Sequence, residues 1–517
     1  MPQLNFPSIG YHNMKENEYI SMAKNILKTK NMLSRDVYFY HAFDGKTDFE
    51  LYPQVPFVAY QILLGYKLFG DILWFPRLIN VVYMLLSIAC IFYLVYMLTG
   101  EYHLSIAAMF LSAVMPLGVY FSRNLQPESG AFFFMCLGNI LWLKFTDNFR
   151  RPYLIGFALS FVMTAAYKLA FLIGFAPLLF LLPYRRYLSE RRIRGLLLDL
   201  AIFVLPCMLF IGYCKITGQS SFSSCENRVN LFSVFTQLYW QKNGMGIWDY
   251  MVKENFTSIY FILSITGMLW AWRGYRTDRS LFALYLRSWS LVILPYCMVF
   301  NDFINQHNYY QMPFLGFVVL VSIYAIKELN SFVSDYLKTQ AVSRCFALVF
   351  VVIFLFSSSS IRNAILEHYN VVFTGADVVG QFLKDNTNKE EKFFMYTFAQ
   401  GYAPCVYAER KCGYPASLKE FKKVESDFSI RFIAFYPIVM LDSLPAEMRN
   451  YITNTYHVRM LGFNSPISEM MPRIMVLEKG GTVDIAVFMR QNQKNLRLSR
   501  VYQTINQELP FYTMVDE

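Results

Sequence analysis

Long apolar runs separated by short polar connections dominate the first 361 residues. Crossing a hydrocarbon core takes about 20 predominantly apolar residues. Runs of that kind fall near 76–98, 104–120, 128–146, 152–167, 169–184, 195–214, 256–273, 281–300, 310–328 and 343–361, so the pattern predicts about ten membrane spans. The stretch "FVAYQILLGYKLF" (57–69) is apolar but too short to span and carries Lys67, which predicts a helix lying in the interface. Further upstream, "MKENEYISMAKNILKT" (14–29) places Met14, Ile20, Met22, Ala23, Ile26 and Leu27 at helical spacing. This predicts an amphipathic helix resting on the membrane surface. An extended loop, residues 30–56, follows and ends in "YPQVP", where two prolines fix the chain direction.

After residue 361 the pattern changes. "GADVVGQFLKDNT" (375–387) and "SLKEFKKVESDF" (417–428) read as helices, and "EKFFMYTF" (391–398) and "IRFIAFYPIVM" (430–440) as strands. "RIMVLEK" and "VDIAVFMR" (473–490) also read as strands. The expected fold class is mainly α: a polytopic transmembrane helix bundle with a C-terminal extramembrane α/β or α+β domain. Three segments follow: 1–75 as a loop with amphipathic and interfacial helices, 76–361 as the transmembrane domain and 362–517 as a soluble domain. The tail holds no phosphate-binding glycine loop and no CxxC pair.

Composition agrees with a membrane protein: 55% of the 517 residues are apolar and 16% charged, against roughly 25% charged in soluble domains. Lys and Arg accumulate in short cytoplasmic loops. Here Lys144, Arg150 and Arg151 share one connection; Arg185, Arg186, Arg191, Arg192 and Arg194 a second; Arg273, Arg276 and Arg279 a third; Lys327, Lys338 and Arg344 a fourth. Alternate loops are thus basic, which predicts 1–75, 121–128, 166–169, 215–255, 301–309 and 362–517 together on the outer, extracytoplasmic face. The net charge of +11 is then mostly a topology signal and requires no nucleic acid. With the N-terminus outside and no signal peptide in residues 1–30, an earlier span is expected to precede this sequence. Among the nine cysteines only Cys225, Cys405 and Cys412 are expected outside, and a Cys405–Cys412 bridge and two thiols both remain open.

The expected outer face collects His12, Lys15, Glu16, Glu18, Glu50, Arg77, Arg123, Glu128, Lys168, Asp302 and His307 from separate loops. In "SRNLQPESGAFFF", Pro127 suits a first helical turn and puts Glu128 at the positive end of the helix dipole. A plain N-terminal helix acid fits too. Lys168, in a very tight turn, is either a lysine snorkelling to headgroups or a positive charge for a lipid phosphate. Tyr309 and Tyr310, after His307, are ordinary interface-belt residues unless their neighbours recruit them. Glu16 stands either on a charged helix face or in reach of a reacting hydroxyl as a general base.

The order of these features resembles the GT-C-type glycosyltransferases, specifically the family that includes protein O-mannosyltransferases and lipid A aminoarabinose transferases. "KENEYISMAKNIL", "YPQVPFVAYQILLGYKLFG" and "FPRLIN" are similar to that family's acidic first loop, interfacial helix and span-opening arginine. "YFSRNLQPES", "AAYKLAFLIGFAPLL" and "HNYYQMP" match later landmarks, so the resemblance covers roughly residues 10–330. It implies a GT-C-like fold and transfer of a hexosyl or pentosyl group from a polyprenyl-phosphate donor to an acceptor hydroxyl on the outer face. The acceptor would be a glycan, a lipid or a protein. The implied roles are Glu16 and Glu128 as catalytic carboxylates and Lys168, Arg77 and Arg123 as donor-phosphate ligands. His307, Tyr309 and Tyr310 would bind substrate; no cofactor is required, and a divalent metal ion stays open, with Glu50 and His307 as its candidate ligands. The chain departs from the family at Lys15–Glu16, where Asp–Glu is usual, and at Glu128, where Asp is usual. It also lacks the span that precedes the first loop in the family. The competing readings are a transporter, which the missing internal repeat disfavours, and a non-catalytic membrane scaffold.

Overall fold

The computed structural model describes residues 4–39, 55–190, 193–216, 231–337, 342–398, 401–466 and 472–516. Glu50, Cys225 and most of "YPQVP" lie outside the described residues, as does the side chain of Asp302. The chain divides into two compact units, one of residues 52–57 and 77–368, the other of 1–51, 58–76 and 369–517.

Apolar helices build the first unit. Helices α1 (Asn13–Thr29) and α2 (Phe57–Phe69), which fall in the other unit apart from Phe57, precede α3 (Trp74–Thr99), α4 (Tyr102–Val114), α5 (Pro116–Phe121), α6 (Glu128–Asn148) and α7 (Arg151–Tyr167). A 3-10 helix, Leu169–Phe180, then leads to α8 (Tyr184–Glu190) and α9 (Ile193–Ile216). All ten runs expected to span are helical. Among the described residues six helices are long and apolar enough to cross a membrane, and a seventh if the 3-10 helix and α8, bent by 77°, count as one span. The chain is therefore a multi-pass membrane protein. Breakers explain the shorter helices. The expected span 104–120 is divided at Pro116, which starts α5 and cannot continue the hydrogen bonds of α4. Lys168 is extended between α7 and the 3-10 helix, and Pro177 lies inside the latter.

Helices α6 and α7 pack as a hairpin. Asn148 Oδ1 accepts the Arg150 amide at 3.0 Å in the connection, and Pro152 occupies the first turn of α7, where its missing N–H costs nothing. A Cβ on Gly130 of α6 would stand 2.5 Å from the Tyr167 ring. The ring of the last residue of α7 thus packs closely on the first turn of α6, next to Lys168.

The second unit carries a seven-stranded sheet in the order β2-β1-β3-β5-β4-β7-β6. Its strands are β1 (Phe393–Thr397), β2 (Cys412–Gly413), β3 (Phe432–Tyr436), β4 (Tyr456–Phe463), β5 (Ile474–Lys479), β6 (Arg497–Gln503) and β7 (Glu508–Val515). The pairs of β1 with β2 and β3 are parallel; the rest are antiparallel. Phe394, Phe421, Phe435, Tyr456 and Leu477 belong to its buried core. "VDIAVFMR" is not a strand but the helix Ile485–Asn492. The Asp484 side chain accepts the Val487 amide at 2.8 Å, a helix N-cap, and the buried Phe488 and Asn492 stand one turn apart.

The N-terminal segment belongs to this unit through main-chain hydrogen bonds. Gly10 forms a β-bridge with Val372, Phe373 N–H donates to Ile9 O at 2.8 Å and Cys412 N–H to Tyr38 O at 2.8 Å. Cys405 and Cys412 form a disulfide with Cα atoms 6.1 Å apart.

Candidate active site

In the helical unit, the break after α7 turns Lys168 inward. Its amide closes the helix on Thr164 O at 2.8 Å, and its ammonium donates to Glu128 Oε1. Both groups are buried, with Glu128 1% and Lys168 7% exposed. The pair is capped by aromatic rings: Lys168 Nζ lies 3.8 Å from the Tyr309 centroid and 4.9 Å from that of Tyr310. His307 stacks on Tyr309 at 4.9 Å with an interplanar angle of 8°. The cation–π contribution reaches about 2 kcal/mol when the cation is desolvated, so the rings hold the ammonium as well as cover it.

Glu128 opens α6, as its place after Pro127 predicts. Its second oxygen, Oε2, is buried without a hydrogen-bond partner among the described residues. A buried acceptor of that kind is costly unless something donates to it. Arg123 lies five residues before Glu128, and it and Arg77 of α3 are both buried. One turn along α3, Asn80 Nδ2 donates to Asn124 O and reaches Gln126 O at 3.3 Å, pinning the loop that carries Arg123 and Glu128. Ser129 Oγ adds a bond to Phe121 O at 2.9 Å.

A second polar network supports the tyrosine side. Asn255 Nδ2 donates to Gln311 Oε1 at 3.0 Å and to Asn308 O at 3.2 Å. Asn308 Nδ2 meets His368 Nε2 at 3.2 Å, while His368 Nδ1 meets Ala364 O at 2.7 Å. The carbonyl can only accept, so Nδ1 carries the proton and Nε2 accepts from Asn308.

In the other unit, Ser8 Oγ donates to Glu16 Oε2 at 2.7 Å, and Glu16 is 5% exposed. Asn17 Nδ2 holds Ser8 O at 2.9 Å, and the Ser8 amide donates to the Tyr407 hydroxyl oxygen at 2.8 Å. Lys15, standing where the resembling family has Asp, bonds both oxygens of Glu18 at 3.1 Å. Helix α1 buries its polar side with its apolar one: Asn13, Glu16, Asn17, Glu18, Ser21 and Asn25 are all buried, beside Ile20, Met22 and Ile26. The expectation of a surface helix with one greasy face gives way to a helix held by specific hydrogen bonds. His12 precedes it in a left-handed conformation, φ 57°.

The residues singled out in the sequence therefore gather in two places. Glu128, Lys168, Tyr309 and Tyr310 meet directly, with His307 stacked behind them; Arg123 shares the Glu128 loop, and Arg77 the helix that pins it. Glu16 belongs to the second unit with its own partners. Glu50 lies outside the described residues, and among the described residues no group of three or more His, Cys, Asp and Glu side chains could hold a metal ion. Sequence reasoning passed over Asn80, Asn255, Gln311 and Ser8. For Asn80 the signal was present: a lone amide in the apolar run "RLINVVYMLL" must find a partner inside the bundle.

Residues 53–210 match the family model for dolichyl-phosphate-mannose-protein mannosyltransferases. As a fold, the chain is similar to ArnT from Cupriavidus metallidurans bound to undecaprenyl phosphate, with TM-score 0.54 and 12% identity over 92% of this chain and 95% of that one. It is also similar to the archaeal oligosaccharyltransferase AglB from Archaeoglobus fulgidus in complex with an inhibitory peptide and a dolichol-phosphate, with TM-score 0.51 and 10% identity over 96% of this chain and 72% of that one. No curated protein sequence matches the chain. The resemblance to the GT-C glycosyltransferases is thus shown, by the family model over 53–210 and by the fold over most of the chain.

Proposed function

We propose that the protein transfers a sugar from a polyprenyl phosphate to an acceptor hydroxyl on the extracytoplasmic face of the membrane. The observation that carries this reading is the buried Lys168–Glu128 pair under Tyr309 and Tyr310, in a chain with the fold of a protein solved with undecaprenyl phosphate. The donor phosphate is held by Lys168, Arg123 and Arg77. A phosphate diester oxygen leaves readily once positive charge stabilises it, so fixed cations do most of the work. Glu128 Oε2 accepts from a donor hydroxyl, and His307, Tyr309 and Tyr310 line the sugar side.

Glu16 is the general base. The acceptor oxygen bonds to the anomeric carbon as the bond from that carbon to the phosphate oxygen breaks. The hydroxyl proton passes to the Glu16 carboxylate, and the electron pair leaves with the polyprenyl phosphate. A single displacement of this kind inverts the anomeric centre. The Ser8 hydroxyl donates to Glu16 Oε2 and fixes the carboxylate's orientation.

About ten spans complete this reading, with the shorter helices α4, α7 and Thr257–Arg273 crossing alongside the long ones. The Cys405–Cys412 disulfide supports an oxidising, extracytoplasmic compartment for the sheet unit. The test is transfer of radiolabelled sugar from a synthetic polyprenyl phosphate by membranes carrying Glu16→Gln. The substitution keeps the shape and removes the proton acceptor, so turnover falls by roughly 10²- to 10⁴-fold while donor binding survives. Near-normal transfer would remove Glu16 from the role.

A further inference from the structure

Helices α6, α7, α8 and α9 and the 3-10 helix line a cavity of about 650 Å3, open along one side, that the transfer reaction does not use. Its walls are almost wholly apolar, among them Trp142, Phe157, Phe175, Leu188, Leu200 and Phe203. The aromatic packing is firm: Phe203 stacks on Phe157 at 5.7 Å and meets Phe161 edge-on at 5.2 Å. One rim is polar and built. Asp199, buried on α9, accepts from Arg151 Nε at 2.8 Å and from the Tyr187 hydroxyl at 3.1 Å. The Tyr187 ring lies 5.1 Å from Phe149, and the Arg186 guanidinium lies 5.1 Å above the same Phe149 ring. The α6–α7 connection, α8 and the start of α9 therefore converge at this rim.

Those three segments also carry Arg150, Arg185 and Arg194, all exposed and without an ion-pair partner among the described residues. The neighbouring acids are Asp199, held by Arg151, Glu190, held by Arg186 at 2.7 Å, and Asp147, which is exposed. Helix α7 has Arg151 at one end and Tyr167, next to Lys168, at the other. At 1.5 Å per residue the rim stands about 25 Å along the helix from the Lys168 site. The most apolar window of α9 is only 6% buried, so the cavity's outer wall borders lipid.

We propose that this cavity binds an anionic phospholipid, with an acyl chain among Phe157, Leu200 and Phe203 and the phosphate on Arg150, Arg185 and Arg194. Charge complementarity selects the headgroup: guanidinium groups pair with phosphate through parallel hydrogen bonds, and basic pockets beside membrane helices recruit anionic lipids. An apolar cavity of a few hundred Å3 is of a size that takes a ligand chain. Bound there, the lipid would bridge α7 and α9 at the end remote from the transfer site.

The test uses the full chain in vesicles of equal parts dioleoyl phosphatidylglycerol and dioleoyl phosphatidylcholine, extracted into mild detergent, with retained lipid counted by mass spectrometry. Phosphatidylglycerol is expected to be enriched roughly 5-fold or more. The enrichment is expected to disappear in R150Q/R185Q/R194Q and total retained lipid to fall in Leu200→Trp, which fills the cavity, while R276Q/R279Q keeps both. Equal retention of the two lipids by the unaltered protein overturns the proposal without recourse to any variant. Loss of the preference in R276Q/R279Q as well would assign it to general surface charge. Displacement of phosphatidylglycerol by millimolar inorganic phosphate would assign the rim to a free anion; both results refute the lipid site.

Discussion

A lysine and a glutamate buried together are each other's condition for being there. Removing one partner of such a pair leaves an uncompensated charge at a cost of about 3–5 kcal/mol, whereas replacing both by neutral groups is often tolerated. Lys168→Met is therefore expected to lower the thermal midpoint of the purified protein, and Lys168→Met with Glu128→Gln to recover most of that loss. Under the proposed function neither variant supports normal transfer, and the KM for the donor rises where activity can still be measured, because a contact with the donor phosphate would be made before the transition state. Full transfer by the double variant would leave the pair a purely structural one. Glu18 gives a separate test through pH. Burial pushes its carboxyl above the ordinary carboxylate range, against the opposing pull of Lys15. With the folded-state value raised, its contribution to stability is complete below the unfolded pKa and is lost as pH rises through the folded one. Glu18→Gln should thus match or exceed the unaltered protein in thermal midpoint near pH 7 and lose that advantage toward about pH 4, with transfer retained; a lower midpoint at both pH values would contradict it. Glu128 and Lys168 were legible in the sequence because a charge at the edge of an apolar run has few explanations. Ser8 was not, since a serine six residues ahead of the amphipathic stretch 14–29 carries no periodic or compositional signal.

At the scale of elements, the apolar runs announced the helices, and the breakers inside them decided their lengths. Pro116 and Pro177 are visible in the sequence, yet whether a proline ends a span or bends it depends on the neighbours that satisfy the released carbonyls. The strand assigned to "VDIAVFMR" failed for a related reason: a short apolar run has no distinctive period, and the Asp484 cap, not the run, selects the helix. The edge β6, with five exposed residues before Tyr502, alternates too weakly to be read. The α6–α7 hairpin turns on one small residue. Gly130→Ala would put a methyl carbon about 2.5 Å from the Tyr167 ring, far inside contact distance, so the ring and Lys168 after it must move. Overpacking of this kind costs about 1–3 kcal/mol. The expected result is a lower thermal midpoint with a loss of transfer larger than that instability explains, read at a temperature where the variant is folded. Unchanged donor KM and turnover would show that the hairpin does not set the position of Lys168.

For the whole molecule, the consequential fact is that the first loop and the tail are one body, joined by the Gly10–Val372 bridge and the Tyr38–Cys412 hydrogen bond. Sequence patterning put both segments on one side of the membrane from the arginine-rich loops alone, but long-range pairing of a few backbone groups leaves no trace in composition. Segments that share a sheet unit share a side, so a single label on the tail reports for the α1 region as well. The basic connection carrying α8 should then face the opposite way. Cysteines introduced at Ser189 and at Lys419, both exposed, give the measurement. In intact cells, on a Cys225→Ser background with Cys405 and Cys412 already joined, an impermeant maleimide is expected to label Lys419→Cys at once and Ser189→Cys only after permeabilisation. Labelling of both without permeabilisation, or of Ser189→Cys alone, would break the link between loop charge and orientation. In the second case the proposed transfer would need a donor presented on the cytoplasmic face.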